Sequence, residues 1–119
     1  MAVIAFSTTQ PSLGPVAHRP SGVPVLVQWP MTTSGDTGAP VSYPDATLKS
    51  VQVEGSSIGI TMQGSNDGTN WETLLDDAGT PGALTFAAVG LRRWTIPTVY
   101  VRPSCTSTGT STVTCLFTF

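Results

Sequence analysis

A chain of 119 residues is long enough for one domain with a single hydrophobic core, and its 39% apolar content is too high for a disordered protein. Its net charge of −2, with only 10% charged residues, provides no cationic face and excludes nucleic acid as an expected partner. So low a charge is typical either of a surface covered by partners or of a Thr-rich β protein without such a role.

The first 44 residues are predicted to form an extended arm. Seven of the ten prolines lie there, and proline removes a donor from a β-ladder and disfavours helix. We therefore expect no long central strand in the arm, only one short strand within residues 23–29 (VPVLVQW). The apolar start of the arm, with Val3, Ile4 and Phe6, favours docking either on the chain's own domain or on a neighbour.

The sequence shows no recognisable export or membrane signal. The apolar N-terminal residues lack a preceding basic segment, and no apolar run approaches the ~20 residues that cross a bilayer. We expect a chain that is made and kept soluble in the cytoplasm, without a membrane partner.

Residues 45–119 are predicted to form a β-sandwich or jelly-roll domain, because short apolar runs alternate with turn sequences. No window has a helical apolar stripe, so the expected fold class is all-β. In the clearest strand, Ile58, Ile60 and Met62 alternate with polar residues or glycine. The GSNDGTN segment (64–70) that follows predicts a hairpin turn. The expected strands are 47–54, 57–63, 71–75, 83–87, 91–96, 98–106 and 111–119.

The last two predicted strands flank a Ser, Thr and Gly loop and are expected to pair about residues 109–110. This register would place Cys105 nearly opposite Cys115, where a cross-strand disulfide is geometrically conceivable. In a reducing cytoplasm we expect two free thiols in the core instead.

Candidate catalytic and metal-binding groups are few. His18 is the single histidine and lies in the proline-rich arm, a poor place to hold a catalytic base. Asp76 with Asp77, and Asp67 with Glu72, lie in or beside turns, where acidic residues commonly bond to the backbone. Calcium binding by the turn aspartates is left open, but we expect no enzyme, no metal site and no cofactor.

Large aromatic and basic residues provide the candidate contacts with a partner. Trp29, Trp71, Trp94 and Tyr100 serve either as core and interface anchors or, alternatively, as a platform for stacking sugars. The adjacent arginines in GLRRW indicate a solvated strand edge or an interfacial ion pair. The predicted partner-binding residues are Val3, Ile4, Phe6, Val25, Val27, Trp29, Arg92, Arg93 and Trp94.

Residues 50–75, with VQVEG and ITMQGSNDGTNWETL, resemble small capsid decoration (cement) proteins of tailed bacteriophages. The resemblance extends to residues 36–50 (DTGAPVSYPDATLKS) and to LTF, GLRRW and YVRP within residues 84–103. It implies a β-sandwich or jelly-roll protein, made in the cytoplasm of the bacterial host, that sits on the virion surface as a homodimer or homotrimer. Its implied partner is the major capsid protein of an icosahedral head, and catalysis is not implied.

Two alternatives remain open. The SNDG-x-x-W hairpin also occurs in discoidin-type carbohydrate- and lipid-binding domains, but this chain is shorter, and Cys105 and Cys115 do not bracket it. A glycan-binding adhesive module and a phage tail or connector component therefore stand beside the decoration hypothesis. Under that hypothesis residues 1–30 lie along a capsid or sister subunit, and deleting them is expected to abolish particle binding while leaving the sandwich folded.

Overall fold

The computed structural model describes residues 2–9 and 24–119, and all of the regular structure in these residues is β-strand. In this part of the chain no helix is long and apolar enough to span a membrane. The strands are β1 (Val3–Ile4), β2 (Ser7–Thr9), β3 (Val25–Met31), β4 (Thr37–Gly38), β5 (Leu48–Ser56), β6 (Ile60–Ser65), β7 (Glu72–Thr73), β8 (Thr85–Phe86), β9 (Gly90–Trp94), β10 (Tyr100–Cys105) and β11 (Thr110–Thr118).

The strands form two sheets that pack face to face. The five-stranded sheet has the order β2-β3-β11-β5-β9, with every neighbouring pair antiparallel. The six-stranded sheet has the order β1-β4-β10-β6-β7, with β8 also paired to β6, and it is mixed because β1 runs parallel to β4. The predicted all-β sandwich is confirmed.

One hydrophobic core fills the space between the sheets, because apolar side chains alternate along the strands with a period of two. In the five-stranded sheet the inward side chains of β11 are Val113, Cys115 and Phe117, and all three are buried. The same alternation is found on β5, β6 and β10, and on β6 it matches the predicted alternation of Ile60 and Met62. The inward positions of these three strands are Lys49, Val51, Val53, Ile60, Met62, Val101, Pro103 and Cys105.

Strand β3 lies inside the five-stranded sheet, so the expectation of no long central strand in residues 1–44 is wrong. It pairs with β11 over its full length and with β2 on its other side. Trp29 is 0% exposed, and its Nε1 donates to the carbonyl of Ala39 at 3.0 Å. Pro30 is tolerated because β2 pairs only with residues 26–28, so that no strand of the described residues pairs with β3 on that side of the proline. Deleting residues 1–30 would remove this strand, in conflict with the expectation of a folded remainder.

Residues 2–9 form an N-terminal strap that docks on the chain's own sandwich, one of the two arrangements expected. The strap crosses from β1 in one sheet to β2 in the other, and the Phe6 ring packs edge-on against Trp29 at 6.1 Å between centroids. Ala39 donates to the carbonyl of Ile4 at 2.7 Å. Residues 2–9 and 24–44 are therefore part of the sandwich, and the predicted boundary at residue 44 does not divide them from it. Residues 10–23, with His18, lie outside the described residues.

Strands β10 and β11 belong to different sheets, so the predicted hairpin between them is wrong. Cys105 lies opposite Ile60, whereas Cys115 lies opposite Val27 on one side and Val51 on the other. The chain changes sheets between the two strands, and this crossing removes the register on which the conceivable disulfide depended. Both thiols are free and buried, as expected, and burial raises the pKa of Cys115.

The hairpin predicted between β6 and β7 is confirmed. Its turn is held by Asp67, whose Oδ1 accepts the backbone N–H groups of Thr69 and Asn70 at 2.8 Å each. Ser65 Oγ and Asn70 Nδ2 donate to the same carboxylate. These hydrogen bonds hold the pKa of Asp67 well below its ordinary value, and they give this acidic residue a local structural role.

Candidate binding surface

The structure places three of the nine predicted contact residues in the core. Val27 and Trp29 are 0% exposed and Trp94 is 1% exposed, so none of them is available to a partner in this conformation. The prediction of these three as surface contacts is wrong, because all of them occupy inward positions on their strands. The two tryptophans are core residues instead: Trp29 packs against Phe6, and Trp94 packs against Phe117.

Four further predicted contact residues lie at the β1–β2 edge of the sandwich or beside it. Val3 is 63% exposed and Phe6 is 37% exposed. Ile4 and Val25 are half-buried and pack against the core. At this edge Val3 and Phe6 are therefore exposed to solvent, while Ile4 and Val25 pack the strap and β3 against the sandwich.

The two adjacent arginines have different roles. Arg92 points inward, pairs with Asp76, and donates to the carbonyls of Ala83 and Thr85, so it ties residues 76–85 to β9. Arg92 and the Gly82 backbone hold the pKa of Asp76 below its ordinary value. Arg93 points outward and pairs with Asp77 at 2.7 Å, so only Arg93 is presented on the surface.

Exposed apolar side chains concentrate on the outward face of the five-stranded sheet and around β9. Leu48 on β5 is 58% exposed and Leu91 on β9 is 69% exposed, and both point away from the core. Leu116 on β11 and Leu26 on β3 point the same way, lie opposite each other in the register and are half-buried. We call these four residues the leucine surface.

Several polar side chains around the leucine surface bond to one another. Gln28 Nε2 donates to Thr114 Oγ1 at 3.1 Å, and Gln52 Nε2 donates to the carboxylate of Glu54 at 2.9 Å. Arg93, the outward cation of β9, is neutralised by Asp77. The face therefore combines exposed leucines with one ion pair and two side-chain hydrogen bonds that are already formed.

A shallow groove of about 210 Å³ runs across the β9 end of the leucine surface. Its walls are mainly apolar and come mostly from neighbouring strands, with Asp77 from the loop between β7 and β8 and Thr95 just after β9. Its outward lining residues are Leu48, Ser50, Arg93, Thr95, Leu116 and Thr118.

Lys49 lies beside this groove at an inward position of β5, opposite Trp94 and Phe117 in the register. Only 5% of the residue is exposed, and no carboxylate of the described residues lies within 4.0 Å of its ammonium. Burial lowers the pKa of Lys49 below its ordinary value of 10.5, because the charged form loses hydration without gaining an ionic partner.

Replacing Lys49 with methionine is expected to raise the free energy of unfolding at neutral pH by about 1 kcal/mol, since it removes a poorly solvated charge and keeps the volume. Because the lysine pKa is lower in the folded chain, the unfolded chain binds more protons below pH 10.5. The contribution of Lys49 to stability therefore rises as pH approaches 10.5, and the advantage of Lys49→Met shrinks. Urea unfolding of both proteins from neutral pH to pH 10.5 measures this difference; a constant difference would contradict the assignment.

The aromatic platform considered for sugar stacking is not assembled. Trp29 and Trp94 are buried, and they lie in the core of the five-stranded sheet. Trp71 is half-buried, and one face of its ring is covered by the Arg102 guanidinium, whose carbon lies 4.0 Å from the ring centroid. Tyr100 is also half-buried.

The acidic residues considered for catalysis or calcium are occupied by local contacts. Asp76 and Asp77 each pair with a different arginine, and Asp67 holds the β6–β7 turn. Within the described ranges, no three His, Cys, Asp or Glu side chains cluster in a way that could hold a metal ion.

Sequence reasoning missed most of the leucine surface. Alternation along residues 47–54 places Leu48 on the face opposite to Val51 and Val53, but its neighbours in space come from strands far away in the chain. Leu26 and Leu116 lie opposite each other only because β3 pairs with β11. The only signal in the sequence was that each leucine lies one residue away from the inward-facing side chains of its strand, and so on the outward face.

No family model matches the sequence, and no curated protein matches it. Among solved structures, the SPBc2 prophage-derived protein YomS is similar, with a TM-score of 0.64 and 13% identity over 86% of this chain and 100% of that one. Weaker likenesses are Peruvianin-I, a cysteine peptidase from Thevetia peruviana latex (TM-score 0.46, 11% identity, 94% and 60% covered), and KdgF from Halomonas sp. (TM-score 0.38, 14% identity, 95% and 79% covered). This chain therefore shares its sandwich fold with a prophage-derived protein.

Proposed function

We propose that this chain is a virion structural protein, a capsid decoration protein that binds the outer surface of an icosahedral phage head. The leucine surface carries the proposal, since it offers a sheet face with exposed apolar side chains, and Arg93, the outward cation beside it, is already paired with Asp77. The fold shared with a prophage-derived protein supports a phage-related role. The sequence resemblance to decoration proteins supports the finer assignment.

The proposed contact is with the major capsid protein. Stable protein interfaces have apolar centres surrounded by polar residues, which matches the exposed leucines and the Arg93–Asp77 pair beside them. Each copy needs only modest affinity, because a shell offers many equivalent sites and each occupied site resists separation of the subunits it bridges. A homodimer or homotrimer on a symmetry axis would bridge several subunits at once. The role proposed involves no catalysis.

The proposal is tested by adding the purified chain to phage heads that lack it and counting bound copies by quantitative mass spectrometry. We expect saturable binding, on the order of hundreds of copies per head, because the sites repeat with the capsid lattice. Saturation at about six or twelve copies would indicate a tail or connector component instead. No binding to heads, combined with binding on a glycan array, would favour the adhesive alternative.

A further inference from the structure

A second candidate site lies on the outward face of the six-stranded sheet, centred on Arg102 of β10. The flanking residues Val101 and Pro103 are buried, so Arg102 points away from the core, on the opposite side of the sandwich from the leucine surface. Its guanidinium lies over the Trp71 ring at 4.0 Å, and its Nε donates to Gln63 Oε1 at 2.9 Å. The stack and the hydrogen bond together fix the plane of the guanidinium.

Arg102 differs from the other arginines of the described residues because it has no acidic partner. Arg92 pairs with Asp76 and Arg93 pairs with Asp77, whereas no carboxylate oxygen in residues 2–9 and 24–119 lies within 4.0 Å of Arg102. Its one hydrogen bond there uses Nε, which leaves the two terminal amino groups without a protein acceptor. Partial burial lowers the pKa of Arg102, so its charge is also incompletely solvated.

We propose that Arg102, oriented by Trp71 and Gln63, binds a carboxylate of an acidic side chain on a partner protein. A guanidinium group with a fixed orientation can donate two parallel hydrogen bonds to the two oxygens of a carboxylate. Because Trp71 already orders the Arg102 side chain, binding costs less side-chain entropy. Tryptophan, tyrosine and arginine are the residues that dominate protein interfaces, and Tyr100 lies on the same strand face. A sugar ligand is disfavoured because the guanidinium covers one face of Trp71.

The site goes beyond the capsid proposal, and its test needs no phage particle. The full chain, labelled with ¹⁵N, is titrated with N-acetyl-glutamate N-methylamide and separately with its glutamine counterpart. The signals followed are the Arg102 Nε–H and the Trp71 indole N–H. We expect saturable shifts with the glutamate probe and at least tenfold weaker binding of the neutral glutamine probe, since only the charged group forms the paired bonds.

Two variants locate the binding. Arg102→Lys keeps the positive charge but lacks the planar fork, so we expect glutamate binding to weaken about tenfold. The matched control, Arg93→Lys, changes an arginine already paired with Asp77 and is expected to leave the Trp71 shift unchanged. Equal shifts from both probes, or unchanged glutamate binding in Arg102→Lys, would overturn the proposal. So would a Trp71 response to a neutral oligosaccharide that exceeds the response to glutamate.

Discussion

Replacing both Leu48 and Leu91 with aspartate is expected to weaken capsid binding on the order of 1000-fold, which corresponds to about 4 kcal/mol. Truncating a buried anchor at an interface commonly costs about 2 kcal/mol, and each aspartate would also place an unpaired charge in a dry contact. Both side chains are largely exposed in the free chain, so the free energy of unfolding should change little. Binding is measured by co-sedimentation with heads over a concentration series.

The matched control places the same two charges on or beside the other sheet. Thr85 on β8 and Thr106, which follows β10, are exposed and lie outside both the leucine surface and the Arg102 site. We expect the Thr85→Asp and Thr106→Asp double variant to bind heads as the wild type does. If the control loses as much affinity as the leucine variant, the leucine surface is not the contact and added negative charge explains both losses.

Replacing Trp29 with alanine is expected to lower the free energy of unfolding by about 3–5 kcal/mol, a large share of the ~5–15 kcal/mol that stabilises a typical domain. The indole is 0% exposed, supports the Phe6 ring of the strap and bonds to the carbonyl of Ala39. Its loss leaves both a cavity and an unpaired carbonyl. Urea unfolding followed by circular dichroism measures the change.

Trp71→Ala is the control, because it removes the same side chain from a half-buried position on the outward face of the six-stranded sheet. We expect a loss of only about 1 kcal/mol there, mainly from the lost arginine stack. Equal losses of unfolding free energy at the two positions would contradict this expectation. They would show that Trp29 on β3, although it is in the core, contributes no more to stability than a surface tryptophan.

The sequence predicted the strands and their inward faces well where apolar and polar residues alternate strictly. Val113, Cys115 and Phe117 could be assigned to the core because period-two alternation depends only on local geometry. The β6–β7 turn was equally readable, since Asp67 bonds to backbone groups only two and three residues away.

Strand pairing could not be predicted in the same way. The assumption that neighbours in sequence pair in space is wrong for β10 and β11, which the chain places in different sheets. Proline density was also misleading in β3, where no strand of the described residues pairs with the chain on one side of Pro30. The candidate site follows from these pairings, so Leu26 and Leu116 could not be joined into one surface from the sequence.

A cryo-electron microscopy map of phage heads saturated with the purified chain tests the capsid proposal most directly. We expect the sandwich on the outside of the head, repeated with the capsid lattice, with Leu48, Leu91 and Leu116 facing the major capsid protein. A particle whose shell lacks this density, or a bound sandwich whose five-stranded sheet faces solvent, would contradict the account.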